Sequence, residues 1–165
     1  MKISATLDYA ATPQKVFAML ANEDFQARKC AAHGARSHAV SVGTQGNRTT
    51  IVSTRDLPTD DLPSFVRSIV GDTLTVTETQ DWGPPGTDGT RSGTLTVDVV
   101  GAPIDLKGTL LLAPGGQGSV ETVEGELKAR IPLIGDKVEK AAAPAIQSAI
   151  RVESETGETW LATKK

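Results

Sequence analysis

The sequence ends in one long helical segment, and almost everything before that segment has the pattern of β-strands. Six strand-like segments lie near residues 35–44, 47–56, 72–82, 91–100, 104–113 and 119–131. Across 133–163, apolar and small residues instead recur at helical spacing: Val138, Ala141, Ala142, Ala145, Ala149, Val152 and Trp160. Helices segregated from a run of strands are typical of α+β proteins. Short turns separate most of these strands, so we expect an antiparallel sheet packed on a long helix that Pro144 bends.

The first third of the chain adds one more strand and two short helices. Residues 3–9 alternate apolar and polar side chains, which predicts a half-buried strand. Thr12 and Pro13 then provide a helix N-cap and a proline at the first helical position. Residues 23–33 indicate a second short helix that ends at Gly34. The predicted order is therefore strand, two short helices, six strands and the long helix.

Length and charge limit the organisation and the partners of the chain. With 165 residues, 38% of them hydrophobic, we expect residues 1–165 to form a single domain. The formal net charge of −3 gives no basic footprint for nucleic acid. No secretory signal or apolar run of ~18 residues occurs, so neither export nor a transmembrane helix is expected. Together with one unpaired cysteine, this indicates the cytoplasm, and the oligomeric state stays open.

The two ends of the sequence carry a family resemblance. The opening ISATLDYAATPQKVFAMLANEDF and the closing GELKARIPLIGDKVEKAAAPAI resemble the START-like helix-grip superfamily, also called the polyketide cyclase or SRPBCC group. Within it, the chain is similar to an uncharacterised actinobacterial family. The resemblance implies a six- or seven-stranded antiparallel sheet wrapped around the C-terminal helix, with a cavity between them. Members of this superfamily bind lipids, sterols or polyketides, and some cyclise polyketides, but no shared catalytic motif carries over to this sequence.

The sequence itself offers a physical reason for a cavity. One face of the predicted sheet is apolar and contains Leu74, Val76, Leu95, Val97, Val99, Leu106, Leu110, Val123 and Leu127. The helix that faces it presents mostly alanine, whose small side chain fills little volume. A narrow sandwich without a cavity is equally compatible with alanine, and the family resemblance favours the cavity.

Two polar residues share the inward face of the strand at 72–82. In steps of two from Leu74 and Val76, the strand places Glu78 and Gln80 toward the apolar interior. A buried carboxylate needs a partner, and Arg55 on the preceding strand is the candidate cation. These side chains are interpreted either as a polar anchor for a ligand or as a strand-end ion pair or simply solvent-exposed groups, and the sequence favours the second interpretation.

These observations together define a predicted ligand site. It consists of Arg55, Phe65, Leu74, Val76, Glu78, Gln80, Val97, Leu110, Leu127, Ala142, Ala145 and Ala149. Residues 57–71 have apolar side chains for an underside, while two prolines oppose regular structure. This segment is expected to be either a mobile lid over the cavity or a fixed plug.

Metal, cofactor and thiol chemistry have little support. Cys30 and His33 lie three residues apart and His38 could join them, but a metal site needs three or four ligands and no fourth is evident. No cofactor and no metal are expected. Cys30 fits a small buried residue better than a nucleophile.

Three functions remain after these exclusions. The leading hypothesis is non-enzymatic binding or transfer of a hydrophobic small molecule. A cyclase or aromatase would instead use Glu78, Arg55 and His38 for proton transfer. The third possibility is an interaction module with a vestigial pocket.

Overall fold

A computed structural model describes residues 1–163 as one antiparallel sheet and four helices. The elements follow the order β1 (Lys2–Tyr9), α1 (Pro13–Leu20), α2 (Glu23–Ala32), β2 (Ser37–Gln45), β3 (Arg48–Pro58), α3 (Ser64–Val70), β4 (Thr73–Trp82), β5 (Arg91–Val99), β6 (Ile104–Gly115), β7 (Gly118–Ala129) and α4 (Gly135–Thr163). The expected α+β helix-grip architecture is confirmed, with seven strands and with α3 inside the segment 57–71.

The seven strands form one sheet in the order β1-β7-β6-β5-β4-β3-β2. Every neighbouring pair is antiparallel, as the short turns predicted. The first strand of the chain therefore pairs with the last, and β2 forms the opposite edge. The chain crosses from one edge to the other through α1 and α2.

Local capping explains where these two connecting helices begin. The Thr12 side chain accepts a hydrogen bond from the backbone N–H of Lys15 at 3.3 Å, and Pro13 occupies the first turn of α1. The Asn22 side chain accepts from the N–H groups of Asp24 at 2.8 Å and Phe25 at 3.2 Å at the start of α2. These side chains satisfy donors that have no partner inside the helix.

The long helix α4 packs against one face of the sheet. Val138 near its start and Trp160 near its end are both buried, and exposed Pro144 lies inside the continuous helix. The helix starts two residues later than the pattern predicted. In the turn before it, Leu133 adopts a positive φ of 74° and is fully exposed.

Gly157 lets α4 approach β1 closely. A Cβ at this position would lie 2.6 Å from Cε1 of Tyr9 and 3.2 Å from Cε of Met19. Tyr9 and Met19 are both almost fully buried, so neither can easily move aside. The absence of a side chain at position 157 is therefore a packing requirement.

The Gly157→Ala variant is expected to be less stable than the natural protein by up to about 2 kcal/mol. Alanine favours a helix by ~1 kcal/mol over glycine, but overpacking against the Tyr9 ring costs ~1–3 kcal/mol. Urea unfolding measures the difference, with Thr159→Ala on the exposed side of the same helix as the control. A more stable Gly157→Ala protein would mean that Tyr9 and α4 are not in close contact.

Candidate functional site

Two adjoining cavities lie between the sheet and α4. The outer cavity has a volume of about 180 Å³ and the inner one about 110 Å³. Five residues line both cavities and mark where they meet: Arg55, Val97, Leu106, Ile146 and Ala149. Alanine content alone was compatible with a cavity or with a narrow sandwich. The structure has the cavity, because the small side chains of α4 leave space above the sheet.

The outer cavity is almost entirely apolar. From the sheet, its walls include Leu74, Val76, Val97, Val99, Leu106 and Leu127, and from α4 they include Ala141, Ala142, Ala145 and Ala149. All nine apolar residues that the sequence assigned to the inward sheet face line one cavity or the other. Leu110 belongs to the inner cavity only. Ala145 is exposed although it lines the outer cavity, so the cavity opens near this residue.

The segment 57–71 forms part of the outer wall. Leu62, Val66 and Val70 line the outer cavity, which gives the segment the apolar underside that its sequence predicted. Phe65 does not line either cavity. Its ring instead lies beside Nζ of Lys137 in the first turns of α4, 4.4 Å from the ring centroid. Phe65 therefore connects α3 to α4 through a cation–π contact and does not line the cavity.

The inner cavity ends in a cluster of buried polar side chains around Glu78. Arg55, the partner that the sequence suggested, lies with Nη1 3.3 Å from Oε2 of Glu78. Gln80 donates to Oε1 of Glu78 at 2.8 Å, and the indole of Trp82 donates to Gln80 at 2.9 Å. Alternate residues of β4 point inward, so Glu78, Gln80 and Trp82 lie side by side and form a continuous row of hydrogen bonds.

Lys29 is the second cation of this cluster, and it has no exposed surface. Its Nζ donates to Oε1 of Glu78 at 3.0 Å and lies 3.8 Å from Oε1 of Glu153 on α4. Lysine is seldom fully buried unless it is paired. Lys29 points inward because α2 packs against both β2 and α4, and Phe25, four residues earlier, is buried on the same side.

The cluster keeps its ion pairs ionised. Burial by itself raises the pKa of Glu78, but Lys29 and Arg55 outweigh it and hold that pKa well below its usual range. Burial lowers the pKa of Lys29, but Glu153 and Glu78 outweigh it, so that pKa is raised. Removing one charged member of the cluster would therefore leave buried charges that are only partly compensated.

Glu121 on β7 behaves differently from Glu78. It is buried, and burial together with the nearby charge of Glu153 raises its pKa to about 8. Burial also raises the pKa of Glu153, against the opposing effect of Lys29. The inner cavity consequently holds a neutral carboxylic acid, Glu121, beside the ionised Glu78 at neutral pH.

His33 at the end of α2 completes the inner cavity. Its Nε2 lies 3.2 Å from the carbonyl oxygen of Ala149, which can only accept a hydrogen bond, so Nε2 carries a proton. Burial and the nearby Arg55 and Lys29 lower the pKa of His33 to about 4. The ring is therefore neutral at neutral pH, and its Nδ1 is a hydrogen-bond acceptor.

The titration of Glu121 predicts a pH-dependent stability. Because folding raises the pKa of Glu121 from 4.5 to about 8, the folded protein keeps a proton that the unfolded chain loses in this range. The free energy of unfolding should therefore fall between about pH 6.5 and about pH 8, by at most about 1.4 kcal/mol per pH unit, whereas at lower pH the lowered pKa of His33 opposes this trend. The Glu121→Gln variant should show a flatter profile in urea unfolding, with Glu124→Gln on the exposed side of β7 as the control. Parallel profiles for the natural protein and Glu121→Gln would contradict the buried proton.

Three residues of the polar cluster were missed by the sequence analysis. Glu121 has the same strand parity as Val123 and Leu127, and Lys29 follows Phe25 by one helical turn. The sequence pattern therefore already placed Glu121 and Lys29 on inward faces. Glu153 follows Ala149 by four residues and lines the inner cavity, whereas Val152, which the pattern selected, lines neither cavity. In this half of α4 the pattern was right at Ala149 and Trp160 and missed the cavities only at Val152.

The structure corrects the proposal that His38 takes part in proton transfer. It lies opposite Arg55 in the register of β2 and β3, on the same face, but β2 is the edge strand and His38 is exposed. It lines neither cavity. Cys30 is buried, and burial raises the pKa of its thiol. Within residues 1–163, no group of three or more His, Cys, Asp or Glu side chains is arranged to hold a metal ion.

None of the helices in the described part of the chain is long and apolar enough to cross a membrane.

Comparison with known proteins places the chain in a family. The family model for a protein of unknown function, DUF2505, matches residues 4–161. An uncharacterised protein of Mycobacterium tuberculosis is 26% identical over 113 residues, which cover 67% of this chain and 64% of that protein. A protein of Mycobacterium bovis matches to the same extent. The match therefore spans less than two thirds of the length of these relatives.

Solved structures share the fold at low sequence identity. TTHA0849 from Thermus thermophilus is 16% identical over the full length of both chains, with a TM-score of 0.67. The Zhui aromatase/cyclase from Streptomyces sp. R1128 is 12% identical over 96% of this chain and 90% of its own, with a TM-score of 0.58. A START superfamily protein from Mycobacterium smegmatis is 10% identical over 96% of this chain and 98% of its own, with a TM-score of 0.57. The chain belongs to the DUF2505 family and has a START-like helix-grip fold.

Proposed function

We propose that this protein binds or transfers a hydrophobic small molecule in the space between the sheet and α4. The observation that carries the proposal is the outer cavity, whose walls from the sheet, α4 and α3 are mainly apolar, with Arg55, Asp105 and Glu139 as the charged exceptions. Apolar cavities with a few polar groups at one end are typical of small-molecule sites. The inner cavity supplies such an end, with Arg55, Glu78 and Gln80 among its walls.

The volumes indicate the size of the ligand. If each non-hydrogen atom takes up about the ~30 Å³ of a liquid water, the two cavities together accommodate roughly ten such atoms. A lipid with two long chains would need the cavity to widen. A single medium-length alkyl chain or a small fused-ring compound fits the space as it stands.

Native mass spectrometry of gently purified protein tests the proposal. We expect part of the protein to carry a bound organic molecule that is released on denaturation, and we expect the emptied protein to bind medium-chain apolar compounds. Protein that carries nothing and binds none of them would contradict the proposal. The alternative of an interaction module with a vestigial pocket would then be favoured.

A cyclase or aromatase is the second candidate function. The similarity in fold to an aromatase/cyclase supports it, as does the presence of ionised Glu78 and neutral Glu121 in one cavity. Of the three residues that the sequence suggested for proton transfer, Arg55 and Glu78 remain candidates, whereas His38 lies outside the cavities. Mass spectrometry separates the two functions, because an enzyme changes the mass or the retention time of an added polyketide-like substrate and a carrier returns it unchanged.

The attachment of Phe65 to Lys137 leads to a prediction about ligand exchange. If the segment 57–71 is a lid, Phe65→Ala removes its fastening to α4 and should speed ligand release several-fold, with little change in melting temperature. Stopped-flow release of a fluorescent apolar probe measures the rate, with Ser68→Ala on the exposed side of α3 as the control. Hydrogen exchange at residues 62–70 should also slow when ligand is added. Strong protection that is equal with and without ligand would identify the segment as a fixed plug.

A further inference from the structure

Three side chains that line the inner cavity carry a polar atom without a hydrogen-bond partner. In the part of the chain that the structure describes, Nε of Arg55, Nδ1 of His33 and Oε1 of Glu121 are buried and unpartnered. A buried polar group without a partner costs about 1–3 kcal/mol, so such groups are rare in native proteins. Three of them border one small cavity, whose wall is therefore suited to a polar group.

The chemistry of two of these atoms is fixed by their surroundings. Nδ1 of His33 is an acceptor, because Nε2 of the same neutral ring donates to the carbonyl of Ala149. Nε of Arg55 can only donate, and Nη1 of the same guanidinium is engaged by Glu78 and Ser53. The cavity thus offers one fixed acceptor and one fixed donor to whatever enters it.

The small size of the cavity leaves room for only one polar group of a ligand. A volume of about 110 Å³ corresponds to about four water molecules. It adjoins the outer cavity, where Arg55 is again part of the wall. The polar end of a molecule that fills the outer cavity with its apolar part would therefore enter the inner cavity, where Arg55 and His33 both form part of the wall.

The charges around the cavity favour a neutral group. A carboxylate would face the lone pair of His33 and the carboxyl group of Glu153, and the charge of Arg55 is already paired with Glu78. An ammonium group would face Arg55 in the cavity wall, and the carboxylate of Glu78 is already paired with both Lys29 and Arg55. A hydroxyl group avoids both conflicts, and it can donate one hydrogen bond and accept another at the same time.

We infer that the inner cavity binds the hydroxyl group of a neutral, mainly apolar molecule, which donates to Nδ1 of His33 and accepts from Nε–H of Arg55. The inference rests on the proposed function and adds to it the chemical class of the ligand. It also assigns His33 to the site, as the acceptor that selects a hydroxyl.

Three probes of similar size test the inference directly. They are 1-decanol, which donates and accepts; nonyl methyl ether, which only accepts; and decanoate, which is an anion. We expect 1-decanol to bind the natural protein about tenfold more tightly than either of the others in competition against a fluorescent apolar probe, as one additional buried hydrogen bond would provide.

The His33→Leu variant should abolish the difference between the alcohol and the ether. The carbonyl of Ala149 lies inside α4, where a helical N–H can satisfy it after the imidazole is removed. His38→Leu is the matched control, because His38 is exposed and lies outside both cavities, and it should leave the tenfold preference intact. The measurement on the natural protein stands even if His33→Leu fails to fold.

The outcomes separate the inference from the proposed function. Equal binding of 1-decanol and nonyl methyl ether would leave apolar ligand binding in place and overturn the hydroxyl site, since water would then satisfy the three atoms. Tightest binding of decanoate would overturn the neutral character of the ligand. Binding of none of the three probes would contradict the proposed function itself, and the hydroxyl site with it.

Discussion

Replacing Lys29 with methionine is expected to destabilise the protein by about 3–5 kcal/mol, the largest effect of any single change considered for this chain. Methionine is unbranched like lysine and one atom shorter, and it carries no charge. Glu78 would keep Arg55 at 3.3 Å but would lose the ammonium group at 3.0 Å, and Glu153 would lose its nearest cation. Two buried carboxylates would then share one guanidinium. Urea unfolding monitored by circular dichroism measures the loss.

A double variant separates the charge effect from the packing effect. Lys29→Met combined with Glu78→Gln removes one positive and one negative charge together, so it should recover a substantial part of the lost stability. Lys15→Met on the exposed side of α1 is the control, with an expected change within ±0.5 kcal/mol. A Lys29→Met protein as stable as this control would show that the ammonium group does not hold the cluster together.

Replacing Ala149 with tryptophan is expected to weaken binding of an apolar probe about a hundredfold. Ala149 lines both cavities, so an indole at this position fills the junction between them. Ala145 is a less stringent test, because it is exposed and a large side chain there can turn into solvent. Overpacking should cost ~1–3 kcal/mol of stability, which leaves the protein folded for binding experiments.

Fluorescence titration with 1-aminonaphthalene measures this effect. Gln147→Trp is the matched control, since Gln147 is exposed on the same helix and lines neither cavity. Its affinity for the probe should equal that of the natural protein. Unchanged affinity in a folded Ala149→Trp protein would place the binding site elsewhere.

The apolar half of the site could be predicted from the sequence because strand parity is strict. Once Leu74 and Val76 are assigned to one face, a period of two residues determines the rest of the strand. The position of Arg55 opposite Val76 in the register of β3 and β4 then explains why it reaches Glu78, two residues further along the same face. The alternation of side chains along each strand and the pairing of β3 with β4 were sufficient to predict the apolar walls and the Arg55–Glu78 pair.

The polar half was predicted only in part, because hydrophobicity is a poor guide to buried charges. A lysine on a short helix is expected to face water, and nothing near Lys29 in the sequence indicates that Glu78 and Glu153 lie above it. Those three residues come from α2, β4 and α4, so only the tertiary arrangement brings them together. His38 shows the opposite case: it was proposed for proton transfer and shares a sheet face with Arg55, but the position of β2 at the sheet edge leaves it exposed.

The row of hydrogen bonds from Glu78 through Gln80 to Trp82 makes Trp82 an intrinsic fluorescence reporter of the inner cavity. The chain has two tryptophans, and the indole N–H of Trp82 is joined through one amide to a carboxylate at the inner cavity. Trp82 is fully buried with its ring edge-on to Phe17, in surroundings that keep its emission free from bulk water. Any event that moves Gln80 changes the field at the indole, so the emission wavelength of Trp82 in a Trp160→Phe background would report cavity occupancy without an added dye.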